Sequence, residues 1–267
     1  MMLYVLISCL VLLLFLRFLY LGRNKKRFKI ATTNFGNKNN EPMVIQKEKE
    51  CLIIVTDPVG TMRTGESACV IAKEIIANQY AINIANISPA DFLKKACFLA
   101  HRGISEQMNA NSGGCSIALV YINKKQLSYA SAGDIGIYLC DYELEQINRF
   151  DLYKHQLRGR VLERKISEEK LLSNRLRNEL TAYLGHENLK KVNLNSEPIR
   201  LFRSDKLFIA TKDVHEVITP LTLESIIFRK SLRRNKFERL EKAYHDLKQA
   251  KEKKPSTASA AMISHFK

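Results

Sequence analysis

The sequence lacks the cysteine and histidine spacings that mark zinc sites and disulfide-rich folds. Its 267 residues include six cysteines, but these are scattered, with no C-x-x-C pair and no histidine at zinc-ligand spacing. It also has no internal repeat and no long low-complexity tract. These absences exclude a structural zinc module, a disulfide scaffold and a repeat array. They indicate that the cysteines are small buried side chains of a reducing compartment.

Acidic side chains are scarce relative to basic ones. There are 27 Asp and Glu against 43 Lys and Arg, which gives a formal net charge of +16 at pH 7. Such an excess favours polyanionic neighbours, namely phosphorylated protein, an anionic membrane face or nucleic acid, although a solvated basic surface explains it equally well. In the basic segment 221–254, Phe237 and Tyr244 fall on the apolar face of the predicted helix, so no aromatic residues interleave with the lysines and arginines on its outer face. We therefore do not expect nucleic acid as a partner.

The N-terminal segment is a long apolar run. Residues 1–22 carry one charged side chain, Arg17, and are numerous enough to cross a bilayer core of about 30 Å. The basic cluster follows this run, whereas a secretory signal peptide has its basic region first. The positive-inside tendency then places the bulk of the chain in the cytoplasm. We predict a transmembrane anchor over 1–22, a basic juxtamembrane linker over 23–35 and a cytoplasmic domain over 36–267.

Hydrophobic periodicity divides the first half of the domain into helices and then strands. After a polar stretch, the patterns predict a strand over 43–46, a buried strand over 52–55 ending near Asp57, a helix over 66–79 and a second helix from the Ser88 cap to about Met108. Four short apolar runs follow at 115–122, 127–132, 135–140 and 144–148, which indicate an antiparallel meander. Two helices followed by a meander predict an α+β layered domain.

The second half reads as helices and a few strands. The patterns predict a helix over 166–180 capped by Ser167, strands over 199–202 and 207–211, a basic amphipathic helix over 221–254 and a terminal strand over 258–266.

Several short motifs occur in an order that is more specific than any one of them. G-E-S-A at 65–68 follows a strand and an Asp-bearing turn, and N-S-G-G-C-S-I-A at 111–118, L-S-Y-A-S-A-G-D-I-G-I-Y-L at 127–139 and S-D-K-L-F-I-A-T-K-D-V-H-E-V-I at 204–218 come later. This series resembles the metal-dependent serine/threonine protein phosphatase family, the phosphatase 2C-like (PPM) proteins, over roughly residues 30–267. The resemblance implies two antiparallel β-sheets sandwiched between helices, with the reaction centre at one edge between the sheets.

The resemblance also implies a metal centre, and here the sequence departs from the family. The family holds two divalent ions, Mn or Mg, with an N-E-D motif, a D-G-x-G-G turn, a T-D-G motif and a final D-N. Asp57 remains, whereas the replacements are Pro42 after Asn40-Glu41, Pro58 and Thr61 in the turn, Lys212 after Thr211, and Pro255-Ser256-Thr257-Ala258 at the D-N position. One aspartate cannot hold two hydrated divalent ions. The sequence thus predicts a degenerate site without a metal cofactor, and for Asp134 the resemblance implies a mainly structural part.

The candidate site residues are therefore Asp57, Lys212 and Asp213, with Lys38 and Lys212 as candidate phosphate-binding cations. If Lys212 faces Asp57, it either forms an ion pair that holds the fold or helps to bind a phosphoryl group. A shift of the alignment by one residue would instead make Asp213 a metal ligand.

Three classes of function remain open on these observations. The leading one is a membrane-anchored, catalytically impaired phosphatase 2C-like protein that acts as a cytoplasmic binding or regulatory module for phosphorylated partners. The second is an active, atypical metal-dependent phosphatase that uses Mn or Mg. The third is a basic scaffold that binds a membrane surface or nucleic acid and uses the fold only as support.

Overall fold

The computed structural model describes Leu13 and residues 28–34, 40–83, 87–108, 113–141, 143–187, 189–228, 233–250 and 258–264. The strands in these segments are β1 (Lys29–Asn34), β2 (Met43–Gln46), β3 (Glu50–Gly60), β4 (Gly113–Asn123), β5 (Gln126–Ala132), β6 (Gly136–Cys140), β7 (Leu144–Gln146), β8 (Asn193–Leu194), β9 (Ile199–Arg200), β10 (Lys206–Ala210) and β11 (Ser259–Ser264). The helices are α1 (Met62–Asn83), α2 (Pro89–Gln107), α3 (Tyr153–Leu162), α4 (Glu168–Ser173), α5 (Lys212–Val217), α6 (Pro220–Phe228) and α7 (Arg233–Ala250).

The strands form two antiparallel sheets. The first sheet has the order β1-β11-β10-β6-β7, and the second has the order β2-β3-β4-β5-β8 with β9 also paired to β5. Helices α1 and α2 pack on the outer face of the second sheet, and α5, α6 and α7 pack on the outer face of the first. The predicted α+β architecture of two antiparallel sheets between helices is confirmed.

β3 shows why a continuous apolar run forms a central strand. Leu52 and Ile54 pack against α1 and α2, whereas Ile53 and Val55 pack against the first sheet. Successive side chains of a strand point to opposite faces, and both faces of this strand are buried. Every position of the run is therefore apolar, and β3 delivers its C-terminal end to the space between the sheets.

A close helix–strand contact at Gly65 fixes the turn after β3. A Cβ atom at this residue would lie 2.6 Å from the Cβ atom of Pro58. Because this distance is far inside van der Waals contact, glycine is the residue that lets α1 run alongside the end of β3.

The helix α1 begins one turn earlier than predicted. α2 begins as predicted, because the Ser88 hydroxyl accepts a hydrogen bond from the Asp91 backbone N–H at 3.1 Å.

The predicted meander is wrong at its centre. β4 pairs with β5 and β6 pairs with β7, but β5 and β6 belong to different sheets. The chain crosses from one sheet to the other at residues 133–135. Gly133 has a φ of 101°, and a Cβ atom on it would lie 2.2 Å from the Ser116 hydroxyl oxygen. The glycine thus permits a left-handed backbone and a close approach at a crossover, where the pattern had indicated a hairpin turn.

The N-terminal boundary of the domain is also corrected. The predicted linker over 23–35 includes β1, which pairs with β11 along its whole length. β1 is an edge strand, so it keeps a largely polar sequence that gives no strand pattern.

The predicted anchor over 1–22 lies outside the described residues except for Leu13. Within the segments that are described, no helix combines the length and the apolar character needed to cross a membrane.

Two predicted helices have different bounds from those expected. The helix predicted over 166–180 is the short α4, which ends at Ser173 because the Asn174 side chain accepts a hydrogen bond from the Leu176 backbone N–H at 2.8 Å. Such a local side-chain bond competes with helical continuation. For the segment 221–254, the structure describes helix α6 up to Phe228 and helix α7 from Arg233 to Ala250. Helix α3 had no predicted counterpart.

Asn148 joins the two sheets beside the crossover. Its side chain is buried, and its Oδ1 accepts a hydrogen bond from the Ile137 backbone N–H at 2.8 Å. Its Nδ2 donates to the Ser131 hydroxyl at 3.0 Å and to the Ile135 carbonyl at 2.8 Å. Because Ser131 belongs to β5 and Ile137 to β6, this one amide links both sheets at the crossover.

Replacing Asn148 with alanine is expected to lower the free energy of unfolding by about 2–4 kcal/mol, since buried backbone groups lose their partners. The exposed Asn178→Ala variant serves as a control, with an expected change within about 0.5 kcal/mol. Urea denaturation of both variants and the wild type measures the difference. Equal midpoints for all three proteins would contradict the role given to Asn148.

Candidate functional site

Asp134 lies on the crossover between the sheets, with a side chain that is only 5% exposed. The Ser116 hydroxyl on β4 donates a hydrogen bond to its Oδ1 at 3.0 Å. An ionised carboxylate in such a place requires hydrogen bonds and a counter-charge. The structural part that the resemblance implies for Asp134 agrees with this burial.

Asp57 lies near the C-terminal end of β3, on the face of the second sheet that is turned toward the first. It continues the alternation of Ile53 and Val55, which both pack between the sheets. In the register of β3 and β4 it stands directly opposite Ser116, the hydrogen-bond donor to Asp134. Asp57, Ser116 and Asp134 are therefore brought to the same end of the sandwich, and Asp57 is half-buried there.

Lys212 is the first residue of α5, immediately after β10 and Thr211. Its Nζ lies 3.4 Å from Asp134 Oδ2 and 3.9 Å from Glu216 Oε1. Lys212 thus forms an ion pair with Asp134, a partner that the sequence analysis did not predict; there Asp57 was the expected partner. The Thr211 hydroxyl accepts a hydrogen bond from the Ser259 backbone N–H at 3.0 Å, which fixes the start of α5 against β11.

The remaining predicted site residues have other positions. Asp213 is half-buried in the first turn of α5, one residue beyond the side chain that reaches Asp134. The ammonium of Lys212 and not the carboxylate of Asp213 therefore occupies the place beside Asp134. Lys38 lies outside the described residues, as do Pro255, Ser256 and Thr257.

The donor groups that the structure describes do not fit the two-ion centre that the resemblance implies. A hard divalent cation takes about six oxygen ligands. Across the part of the chain that the structure describes, no three His, Cys, Asp or Glu side chains are grouped so that they could hold a metal ion. The carboxylate of Asp134 is already bonded to Lys212 and to Ser116, the residue that stands opposite Asp57 in the register of β3 and β4.

A buried lysine, Lys73 on α1, was not identified from the sequence. It is 6% exposed, and its Nζ donates a hydrogen bond to the Glu41 carbonyl at 2.7 Å. Burial lowers the pKa of Lys73. The Asn40-Glu41-Pro42 segment, where the family has an acid, is thus held by an ammonium. The only sequence signal for this contact is a lysine on the apolar face of α1.

His215 packs behind the ion pair and was assigned no site role from the sequence. Its ring stacks on Phe150, with ring centroids 5.1 Å apart and planes at 17°. The pKa of His215 is lowered to about 4, mainly because the ring is buried; the nearby charge of Asp134 opposes this shift and that of Lys212 adds to it. Its Nδ1 is buried and has no hydrogen-bond partner among the residues that the structure describes. The imidazole is therefore neutral in the folded protein at neutral pH.

A neutral buried His215 predicts that the protein loses stability in mild acid. The unfolded chain binds a proton near pH 6.5, but the folded protein binds it only near pH 4, so the free energy of unfolding falls as the pH falls between these values. The loss is about 3 kcal/mol at most. Urea denaturation across this range is expected to show a flatter pH dependence for His215→Phe than for the wild type. The exposed His245→Gln variant should retain the wild-type slope, and a wild-type slope in His215→Phe would contradict the assignment.

We compared the chain with known proteins, and the sequence relatives are serine/threonine phosphatases. The sequence matches no protein-family model. The serine/threonine phosphatase Stp of Listeria monocytogenes is 22% identical to this chain over 199 residues, which are 72% of this chain and 77% of that protein. The Stp phosphatase of Listeria innocua matches to the same extent.

Solved structures agree with the sequence relatives. The serine/threonine phosphatase of S. agalactiae superposes with a TM-score of 0.72 at 18% identity, over 89% of this chain and 99% of that chain. The catalytic domain of the serine/threonine phosphatase PstP, solved in complex with two manganese ions, superposes with a TM-score of 0.65 at 17% identity, over 89% and 97% of the two chains. At such identities the structural likeness establishes the fold. The predicted resemblance is confirmed: the chain carries the phosphatase 2C-like domain fold of the PPM serine/threonine phosphatases.

Proposed function

We propose that this chain is a membrane-anchored phosphatase 2C-like protein with an impaired catalytic site, which acts as a binding or regulatory module at the cytoplasmic face. The observation that carries the proposal is the Lys212 ammonium, 3.4 Å from the buried carboxylate of Asp134. Lys212 stands where the resemblance places a metal-binding acid. The positive charge beside Asp134 therefore comes from a side chain of the protein, whereas in the family it would come from a bound metal ion.

An ammonium supplies charge but not the chemistry of a divalent ion. A bound metal ion polarises a phosphoryl oxygen as a Lewis acid and lowers the pKa of its bound water. An ammonium has three donors and no vacant coordination site, so it does neither. Its single positive charge is also shared between Asp134 and Glu216. Hydrolysis of a phosphoester by the family's route therefore has little support from these residues.

The same contacts support a structural part for Lys212 over a phosphate-reading part. The ammonium already lies beside two carboxylates, which together carry more charge than it does. An incoming phosphoryl group would have to compete with both of them. The ion pair instead connects the crossover that carries Asp134 to the start of α5, so its removal is expected to affect stability first.

The relatives suggest the alternative function. They are named serine/threonine phosphatases, and one was solved with two manganese ions. By that analogy the chain would be an active, atypical phosphatase that uses Mn or Mg. Membrane anchoring and a cytoplasmic location rest on the apolar run 1–22 and the basic cluster after it.

Metal binding separates the impaired site from an active one. Isothermal titration of the full chain in detergent with manganese is expected to give no two-site binding, and the protein should release no phosphate from an aryl phosphate. Lys212→Asp, which restores a carboxylate beside Asp134 and near Asp57, is expected to bind manganese more tightly than the wild type. Tight binding of two ions by the wild type, with phosphate release that Asp57→Ala abolishes, would contradict the proposal.

Removal of the ammonium tests what Lys212 does. Lys212→Ala is expected to lower the free energy of unfolding by about 2 kcal/mol, because it leaves a buried carboxylate without its counter-charge. Glu216→Ala, which removes the more exposed partner, should change it by less than about 0.5 kcal/mol. Chemical denaturation measures both. Unchanged stability in Lys212→Ala, together with weakened phosphopeptide binding, would show instead that Lys212 reads phosphate.

A further inference from the structure

A pocket of about 180 Å³ lies beside the crossover and is distinct from the Asp134–Lys212 ion pair. Its walls come from the segment between β7 and α3, from α3 itself and from the chain around β8. The lining residues that carry or can take up a positive charge are Arg149, His155 and Lys191, and Gln156 and Thr181 add neutral hydrogen-bonding groups. No metal ligand predicted from the sequence lies in this lining.

Asp151, the single carboxylate in the lining, is already engaged by the protein. Its Oδ2 accepts hydrogen bonds from the Gly133 backbone N–H at 3.0 Å and from Asn193 Nδ2 at 3.1 Å. Its Oδ1 accepts from the same Asn193 amide at 3.1 Å. The carboxylate thus fixes the pocket wall to the crossover and has little capacity left for a ligand.

The cationic groups of the lining are available to a ligand. Arg149 and Lys191 are exposed, and among the described residues neither forms a salt bridge with a carboxylate. The pKa of His155, another lining residue, also reflects the nearby positive charges. Burial lowers the pKa of His155, and the charges of Arg149, Lys154 and Arg158 lower it further. Burial raises the pKa of Asp151, and the charges of Arg149 and Lys191 oppose that shift. The lining thus sets two cations against one carboxylate, which leaves it with a net positive charge.

We propose that this pocket binds a compact phosphoryl oxyanion, either free phosphate or the phosphate of a phosphorylated serine or threonine side chain. Arg149 and Lys191 bind its oxygens from the rim, and Gln156 and Thr181 donate further hydrogen bonds. A guanidinium and an ammonium that converge on one small cavity match a doubly charged tetrahedral anion.

The size of the pocket supports a small ligand. Its volume is below the roughly 300–1,000 Å³ of sites for drug-sized molecules, but well above the space of one water. The proposal goes beyond the function proposed above and holds whether or not the Lys212 site is catalytic, because none of the pocket residues belongs to that site.

Titration of the full-length protein with inorganic phosphate tests the proposal, followed by calorimetry and by amide NMR shifts. Saturable binding is expected, with the largest shifts at Gly133, Asp151 and His155. The double variant Arg149→Gln/Lys191→Gln is expected to bind phosphate about tenfold or more weakly. A single Gln156→Glu change, which adds a negative charge at an exposed position of the lining, should weaken binding as well.

The matched control is Arg160→Gln/Lys190→Gln, which removes the same charge from exposed residues outside the lining. It should keep the wild-type affinity, as should Lys212→Ala. Thermal melting of each variant checks that it folds. A phosphoserine peptide that binds more tightly than phosphate would identify the phosphorylated side chain as the ligand, and equal affinities would identify free phosphate.

Three results would overturn the proposal. The first is the absence of saturable phosphate binding. The second is an equal loss of affinity in the control double variant, which would show only a response to net charge. The third is a set of amide shifts centred on Lys212, with binding abolished by Lys212→Ala, which would place the anion at the ion pair.

Discussion

The buried carboxylate of Asp134 is the constraint on which the rest of this site depends. A charge that is 5% exposed is costly unless hydrogen bonds and a counter-charge surround it. The Ser116 hydroxyl supplies the hydrogen bond from the second sheet, and Lys212 supplies the charge from the end of the first. Because Asp134 lies on the crossover, the contacts of this one carboxylate also connect the crossover to β4 of the second sheet and to the start of α5.

Replacing a bound metal by a tethered ammonium changes how such a site responds to its surroundings. A metal site is filled according to the concentration of the ion, and its contribution to stability follows that concentration. The Lys212 side chain has no such binding equilibrium, because it is covalently part of the chain. The neutral His215 behind it adds no second positive charge near neutral pH. Asp134 therefore keeps one counter-charge that is part of the chain and does not vary with the concentration of an ion.

The sequence predicted the elements whose patterns are local and missed those that depend on distant contacts. The apolar runs of β3 to β7 and the cap at Ser88 are local, and the structure confirms them. β1 was missed because its polar residues become a strand only by pairing with β11, which lies more than 200 residues away. The sequence predicted a hairpin at Gly133, because a glycine with a positive φ can occur both in a hairpin turn and in a crossover between sheets. For the site, the sequence identified Lys212 as the anomalous residue, but its partner depended on that crossover, which places Asp134 within reach.

The two-residue segment Gly133–Asp134 connects the ion pair to the pocket. The Gly133 backbone N–H is held by Asp151 in the pocket wall, and the Asp134 carboxylate is held by Lys212. A second connection runs through Phe150, which lines the pocket and stacks on His215 of α5. Contact of this kind makes the two places mechanically continuous, but coupling of their affinities requires an element with two arrangements. Gly133 packs so tightly against Ser116 that the crossover has little freedom to supply one. The structure therefore favours a pocket and an ion pair that are held rigidly together over a switch that transmits binding from one to the other.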